Sequence, residues 1–445
     1  MNLPNLEQNA YLVIYLKDTF VKANLIYHDF NISRHYVLED TVDGITKDDI
    51  NNPHFWSEYI EQLQTLWNWQ LFDKGFHHIT KFSGEGTGIN GAEIIVDERF
   101  WEIHKVIETV RTFTLGLPVT PISNASIKDF TSSFQRKYGY EDVMLLDLNF
   151  FSIWAYRLAK SQQGIKLVRP HNELEYFSGK VVWTEKDKFI KSVLSPKLKA
   201  FLTEEINNEK LADLVANYTY DYTSSIVRNS LKDILRAVLT IEILTLRNDN
   251  QGKFDNFGLN STKNALILTG GLLSNLKLRP LLVAILDGLE VLGDIDIFIN
   301  TSNDLVPLGN TYINGSIKSK YILSFDDIFK KSIKLIAPNV GKANKERKVI
   351  FDANVNVENG ENEKHFAFAQ EISEINLPKN IRYMLNGKFI NANLYDEEKY
   401  EISKSSSTWS YDKLVVDGRS KPIVYGPEPK NNKLRMSAWV NEENI

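Results

Sequence analysis

Apolar residues in this chain fall into unbroken runs, helical stripes and alternating stretches, each in its own part of the sequence. The run Ala265-Leu266-Ile267-Leu268 stops at Thr269-Gly270-Gly271. Four aliphatic or small residues in a row predict a strand buried on both faces, as in a parallel sheet covered by helices. The paired glycines allow positive φ and close approach of backbone to a neighbour or ligand. Leu278, Leu281, Leu282, Ile285, Leu286 and Leu289 then recur at helical spacing, so the unit reads strand, glycine turn, helix. Another strand follows at Asp294 to Asn300.

Upstream, Tyr11 to Leu16 and Phe20 to Tyr27 predict two strands around a turn. Phe55, Trp56, Tyr59, Ile60, Leu63 and Trp67 form one stripe of a helix over 52–71, best explained by core packing. Ala92 to Val96 reads as a strand and 101–112 as a helix broken by Leu117-Pro118. A short helix over 123–137 is expected to open at Ser126. The stretch Asp142 to Tyr156 opens with a buried strand ahead of Asp147, 164–183 reads as a strand pair, and 185–207 and 208–246 as long helical tracts. Past Gly309, a strand at 312–315 and a helix at 326–334 are expected. From Lys345 the pattern alternates: Val349, Phe351, Ala353, Val355 and Val357 lead to an Asn359-Gly360 turn, a hairpin signal. Strands are also expected at 383–395, 415–424 and 436–440.

With 445 residues the chain is long enough for two or three domains. A net charge of −5 argues against a general nucleic-acid or anionic-membrane surface, and its basic clusters read as solvated faces. The absence of cysteine excludes disulfides and thiolate chemistry. The N-terminal residues lack the pattern of a signal peptide, and acids interrupt the most apolar window, 280–299. A cytoplasmic protein without membrane insertion is expected.

Chemistry-bearing motifs are sparse. His77-His78 has no third ligand at helical spacing, so no metal site is expected. Ser83 to Gly91 is glycine-rich but lacks the Lys-Ser/Thr of a P-loop and leads into a strand, which favours a hairpin loop. No Ser or Thr has both a suitable motif and a nearby His, so no catalytic residue is assigned.

The order of strand, Thr269-Gly270-Gly271 turn, helix and strand, then Asp304 to Gly309, resembles the adenosine-side half of the actin, sugar kinase and heat-shock chaperone superfamily. The resemblance implies an α/β fold of two actin-like (ribonuclease H-type) halves around a cleft, here with a C-terminal all-β domain. The boundaries would be 8–140, 141–340 and 345–445. It places the first phosphate motif, Asp-x-Gly-Ser/Thr, on Tyr15, Lys17, Asp18 and Thr19, with a trailing Lys22. The second falls on Asp147, with Asn149 and Phe150 where glycines are expected. Cofactor-side positions are then Asp18, Thr19, Lys22, Asp147, Thr269, Gly270, Gly271 and Ser274. The segment Val415-Val416-Asp417-Gly418-Arg419 and the late Trp439 are similar to the branch of the glutamate mutase accessory protein (GlmL or MutL-like), actin-like ATPases that assist a cobalamin-dependent mutase.

Bulky residues in both phosphate turns imply a degenerate actin-like module that binds protein partners, with nucleotide hydrolysis weak or lost and no cofactor expected. The alternative is a working Mg-ATPase that reactivates or assembles a partner enzyme, with Asp18 and Asp147 holding Mg²⁺ and Thr269 to Gly271 lining the adenosine. A small-molecule kinase would need a catalytic base that no segment offers. Self-assembly is possible within the superfamily, and the partner is not written in the sequence.

Overall fold

A computed structural model describes residues 9–17, 20–29, 34–43, 45–73, 89–102, 104–106, 108, 119–149, 152–160, 174–182, 196–220, 229–250, 253–254, 257–258, 263–274, 276–301, 305, 328–329, 331–340, 348–358, 360, 362–378, 382–392, 394, 399–403, 411–419 and 429–440. The chain divides into two compact units, Met1–Ser133 with Asp304–Ser324, and Phe134–Asn303 with Phe325–Ile445. The expected helix over 101–112, the strand at 312–315, His77-His78 and most of the 83–91 loop lie wholly or partly outside the described residues.

The first unit holds strands β1 (Asn9–Lys17), β2 (Phe20–Asp29), β3 (Arg34–Asp43), β4 (Ile89–Asp97) and β5 (Val119–Ile122) in the order β3-β2-β1-β4-β5. The first three are antiparallel neighbours, whereas β4 runs parallel to β1 and β5 parallel to β4. Helices α1 (Lys47–Ile50) and α2 (Pro53–Asp73) follow β3. Alternation sends Leu12, Ile14 and Leu16 of β1 and Val21, Ala23 and Leu25 of β2 to one face. There they join Trp56, Tyr59, Leu63 and Trp67 of α2 in a single core. The opposite face of the same strands is buried and mixed, carrying Val13 and Phe20 beside Tyr15, Lys17, Lys22 and Asn24.

Helix α3 (Asn124–Tyr138) starts one residue after Ser123. Ser126 is therefore not its opening residue: Ser123 and Ser126 exchange hydrogen bonds, each backbone N donating to the other's Oγ, which places the cap at Ser123.

The second unit repeats the strand order. Strands β6 (Asp142–Leu148), β7 (Ser152–Lys160), β8 (Leu174–Val182), β9 (Asn264–Thr269) and β10 (Gly293–Ile299) lie as β8-β7-β6-β9-β10. Again three are antiparallel and two parallel. The two sheets thus share one ribonuclease H-type plan, the actin-like arrangement implied by the resemblance. Helices α4 (Pro196–Phe201), α5 (Asn208–Tyr220), α6 (Asn229–Asp249) and α7 (Leu278–Leu289) contribute to its large core. Met144, Leu146 and Leu148 of β6 and Leu266 and Leu268 of β9 meet the buried faces of α6 and α7 there.

The eight-stranded sheet is completed by β11 (Lys331–Ala337), β14 (Ile372–Asn376) and β17 (Lys413–Asp417). A separate antiparallel sheet comprises β12 (Val349–Val357), β13 (Asn362–Phe368), β15 (Tyr383–Phe389) and β16 (Lys399–Ser403), in the order β13-β12-β15-β16. Its inner residues Phe351, Ala353, Val355 and Leu385 share a core with Ile336 of β11 and Leu414 and Val416 of β17.

Two expected elements are corrected. Residues 331–334, expected as the end of a helix, form the start of β11, because antiparallel pairing of Ile299 to Gly293 with Lys331 to Ala337 overrides a short local preference. Residues 436–440, expected as a strand, end helix α8 (Pro429–Val440). Met436, Trp439 and Val440 are spaced by three and one, which suits one helix face and not alternation.

Candidate functional site

In parallel α/β sheets, ligand-facing residues gather at the carboxyl ends of the strands. In the second unit this level holds a polar row. Asp147, one residue from the end of β6, stands in register with Thr269, the last residue of β9, and with Trp154 of β7. Asn300 follows β10, and its backbone N donates to Leu268 O at 2.9 Å. Asp147, Thr269 and Asn300 are all buried. Thr269 Oγ1 donates to Asn300 Oδ1 at 3.2 Å, and Asn300 Nδ2 donates to Ile328 O at 2.8 Å, so the amide is oriented from both sides.

Gly270 has φ +116°, and a Cβ there would lie 2.1 Å from Leu148 O and 2.5 Å from Leu148 N. The space opened by the missing side chain is taken by the backbone of β6. Gly271 then begins a 3-10 turn, Gly271–Ser274, with Leu273 N donating to Gly270 O at 3.2 Å. Ser274 is placed by its backbone in that turn. Across from it, Asn149 N donates to Ser152 O at 2.9 Å, and Asn149 Nδ2 reaches Asp147 O at 3.4 Å, binding the start of the β6–β7 connection to itself.

The first unit carries its own polar level. Tyr15, at the position of the expected acid, donates its hydroxyl to Asp97 Oδ2 at 3.1 Å. Asp97 ends β4 and is fully buried. Its Oδ1 accepts from Arg99 Nε at 2.8 Å and from Arg99 N at 3.2 Å, while Oδ2 also accepts from Arg99 Nη2. A charge-assisted fork of this kind is among the stronger hydrogen-bonded pairs. Lys22 Nζ binds Glu39 Oε2 at 3.1 Å, and Lys17 is buried at the end of β1.

The structure therefore brings Asp147, Thr269, Gly270 and Gly271 together in one unit and places Lys22 on β2 of the other. Asp18, Thr19 and Phe150 lie outside the described residues. Asp97, Arg99 and Asn300 escaped the sequence reading. The first two had a signal: Val96-Asp97-Glu98-Arg99 repeats the pattern of Val416-Asp417-Gly418-Arg419. Arg419 binds Asp417 with the same set of bonds, Nε and N to Oδ1 at 2.8 and 3.2 Å and Nη2 to Oδ2 at 3.1 Å.

Among the described residues of the first unit, Tyr15 and Asp97 do not fit a bound Mg²⁺. That ion takes oxygen ligands and prefers carboxylates, whereas Tyr15 offers a phenol already donating and Asp97 is held through both oxygens. Among the described residues no group of three or more His, Asp or Glu is arranged to hold a metal.

Neither protein-family models nor curated proteins gave a match to this chain. Solved structures did. The ethanolamine utilization protein EutJ from Carboxydothermus hydrogenoformans has a TM-score of 0.36 and 11% identity over 69% of this chain and 90% of its own. A non-polymerisable quadruple mutant of pCBH ParM gives 0.35 and 10% over 69% and 100%. MreB5 of Spiroplasma citri bound to ADP gives 0.33 and 10% over 70% and 98%. The chain is similar to each over the shares given, at low sequence identity.

Proposed function

We propose that this chain is a degenerate actin-like protein, a protein-binding scaffold or assembly module in which nucleotide hydrolysis is weak or lost. The supporting observation is the closed set Tyr15, Asp97 and Arg99: a side chain of the protein already uses each oxygen of the buried carboxylate at the end of β4. Gly270 adds to it, since the room beside that glycine belongs to Leu148. A finer placement, in the branch of glutamate mutase accessory proteins, rests on Asp417-Gly418-Arg419 and Trp439. No described helix is long and apolar enough to cross a membrane, and a cytoplasmic setting is part of the proposal.

The test is thermal-shift titration with Mg-ATP and Mg-ADP. A nucleotide at a hundred times its Kd adds about 2.7 kcal/mol of stability, which is a shift of a few degrees for domains of this size. The scaffold reading expects no shift and no steady phosphate release. A clear shift with turnover selects the second reading, a Mg-ATPase that serves a partner enzyme. That reading is favoured by one feature, the intact polar row Asp147, Thr269 and Asn300. Affinity capture on the full chain in its native host then identifies the partner.

A further inference from the structure

Helix α8 has 12 residues, no acid in its first turn and no base in its last. A helix of that length is marginal in water, and its last carbonyls need partners or a compensating cation. Of its described side chains, over 433–440, Met436, Trp439 and Val440 face the core, whereas Leu434 is 70% exposed.

The missing cation comes from another helix. Arg279, in the first turn of α7, donates Nε to Trp439 O at 2.9 Å and Nη2 to Ala438 O at 3.5 Å, and the same Nη2 reaches Ile372 O at 3.2 Å. Trp439 is held twice more, its Nε1 donating to Gln370 O at 2.8 Å and its ring lying 4.8 Å beneath the Arg419 guanidinium. Arg419 in turn binds Asp287 near the far end of α7 at 2.9 Å. Both ends of α7 are therefore tied to residues 419–439, one through Arg279 and the other through Arg419. The start of α7 follows the Gly270-Gly271 turn by a few residues, with Leu276 N donating to Leu272 O across the interval.

We infer that α8 is a conditional helix, capped in trans by Arg279, and that a shift of the Gly270-Gly271 turn releases it by withdrawing that cap. The polar row and the C-terminal helix are then two ends of one element, whatever occupies the row. This goes beyond the scaffold reading and holds whether or not nucleotide binds.

Hydrogen exchange on the full chain, read by mass spectrometry, tests it. Arg279→Gln is expected to speed exchange at 434–440 about tenfold, the scale of one lost charged hydrogen bond, while 265–269 and 349–357 keep their rates. Thr269→Val, which removes the bond to Asn300, is expected to speed 434–440 in the wild-type background and to add nothing in Arg279→Gln. Unchanged exchange at 434–440 in Arg279→Gln overturns the cap. A rise shared by all three segments marks unfolding of the whole unit and overturns it too. If Thr269→Val leaves 434–440 unchanged, the link to the turn is wrong. Should Arg279→Gln fail to fold, Arg279→Lys keeps the charge without the fork and is expected to give a smaller rise confined to 434–440; a rise elsewhere counts against the proposal. Nucleotide titration does not enter these readouts, so failure here is separable from failure of the scaffold reading.

Discussion

Gly270 and Leu148 meet backbone to backbone: a Cβ on the glycine would stand 2.1 Å from the Leu148 carbonyl oxygen. The φ of +116° is itself one that L side chains rarely adopt. Two separate penalties therefore fall on any substitution. Gly270→Ala is expected to lower unfolding free energy by about 3 kcal/mol or more, read as a fall in denaturant midpoint. Gly271→Ala, at the first residue of the 3-10 turn, is the comparison position. Equal, small effects at the two positions would show that the first glycine is not spent on the Leu148 contact.

The Tyr15, Asp97 and Arg99 set gives a graded series. Tyr15→Phe removes one hydrogen bond to a carboxylate that keeps its guanidinium, for a loss of about 1–2 kcal/mol. Arg99→Ala leaves Asp97 buried with its charge unmatched, for about 3–5 kcal/mol. Asp97→Asn in the Arg99→Ala background is expected to recover part of the loss, because the stranded charge is gone. A double-mutant cycle by chemical denaturation measures this, and additivity of the two changes would contradict the pairing.

What the sequence disclosed follows from the range of the forces involved. The strand-turn-helix at 265–289 was legible because burial on both faces writes an unbroken apolar run. The stripe from Phe55 to Trp67 was legible because α2 buries one face only. Strand β3 was missed: Arg34 to Asp43 carries polar residues such as Glu39 and Asp40 and is recruited by pairing along its whole length with β2. The start of β11 was read as helix because Ser332, Ile333 and Lys334 owe their conformation to β10 and β17 on either side. At the candidate site, Thr269 to Gly271 announced themselves, yet the contact that explains Gly270 comes from a residue 122 positions earlier, Leu148. Asp97 had a local mark, the Asp-x-Arg repeat, but Asn300 had none, since one Asn after a strand is an ordinary turn residue.

Arg419 joins three elements at once: it forks onto Asp417, binds Asp287 of α7 and lies over Trp439 of α8. A lysine supplies charge but neither the planar fork nor the stacking face. Arg419→Lys is accordingly expected to cost about 2 kcal/mol or more, despite conserving charge. Gly418 beside it admits no side chain, since a Cβ would fall 2.2 Å from Phe368 O. Circular dichroism melts of the two variants check both claims, with Gly418→Ala expected to melt below wild type as well. A wild-type melt for Arg419→Lys would reduce the hub to a simple charge pair.

Glu242 sets a pH dependence of opposite sense to an ordinary surface carboxylate. It is buried on α6, and desolvation, aided by the negative charge of Asp249, pushes its pKa up to about 7 from 4.5. Between those two values the folded state holds a proton that the unfolded chain has released. Folding stability from this group is therefore full below about pH 4.5 and falls as pH rises toward 7. The loss levels off above that value at about 3 kcal/mol at most. Glu242→Gln keeps the shape of the side chain and removes the ionisation. At pH 8 the variant is expected to be more stable than wild type, and at pH 5 the two are expected to converge. Denaturation midpoints measured across that interval decide the matter: a constant difference between the two proteins would mean that Glu242 does not ionise within it.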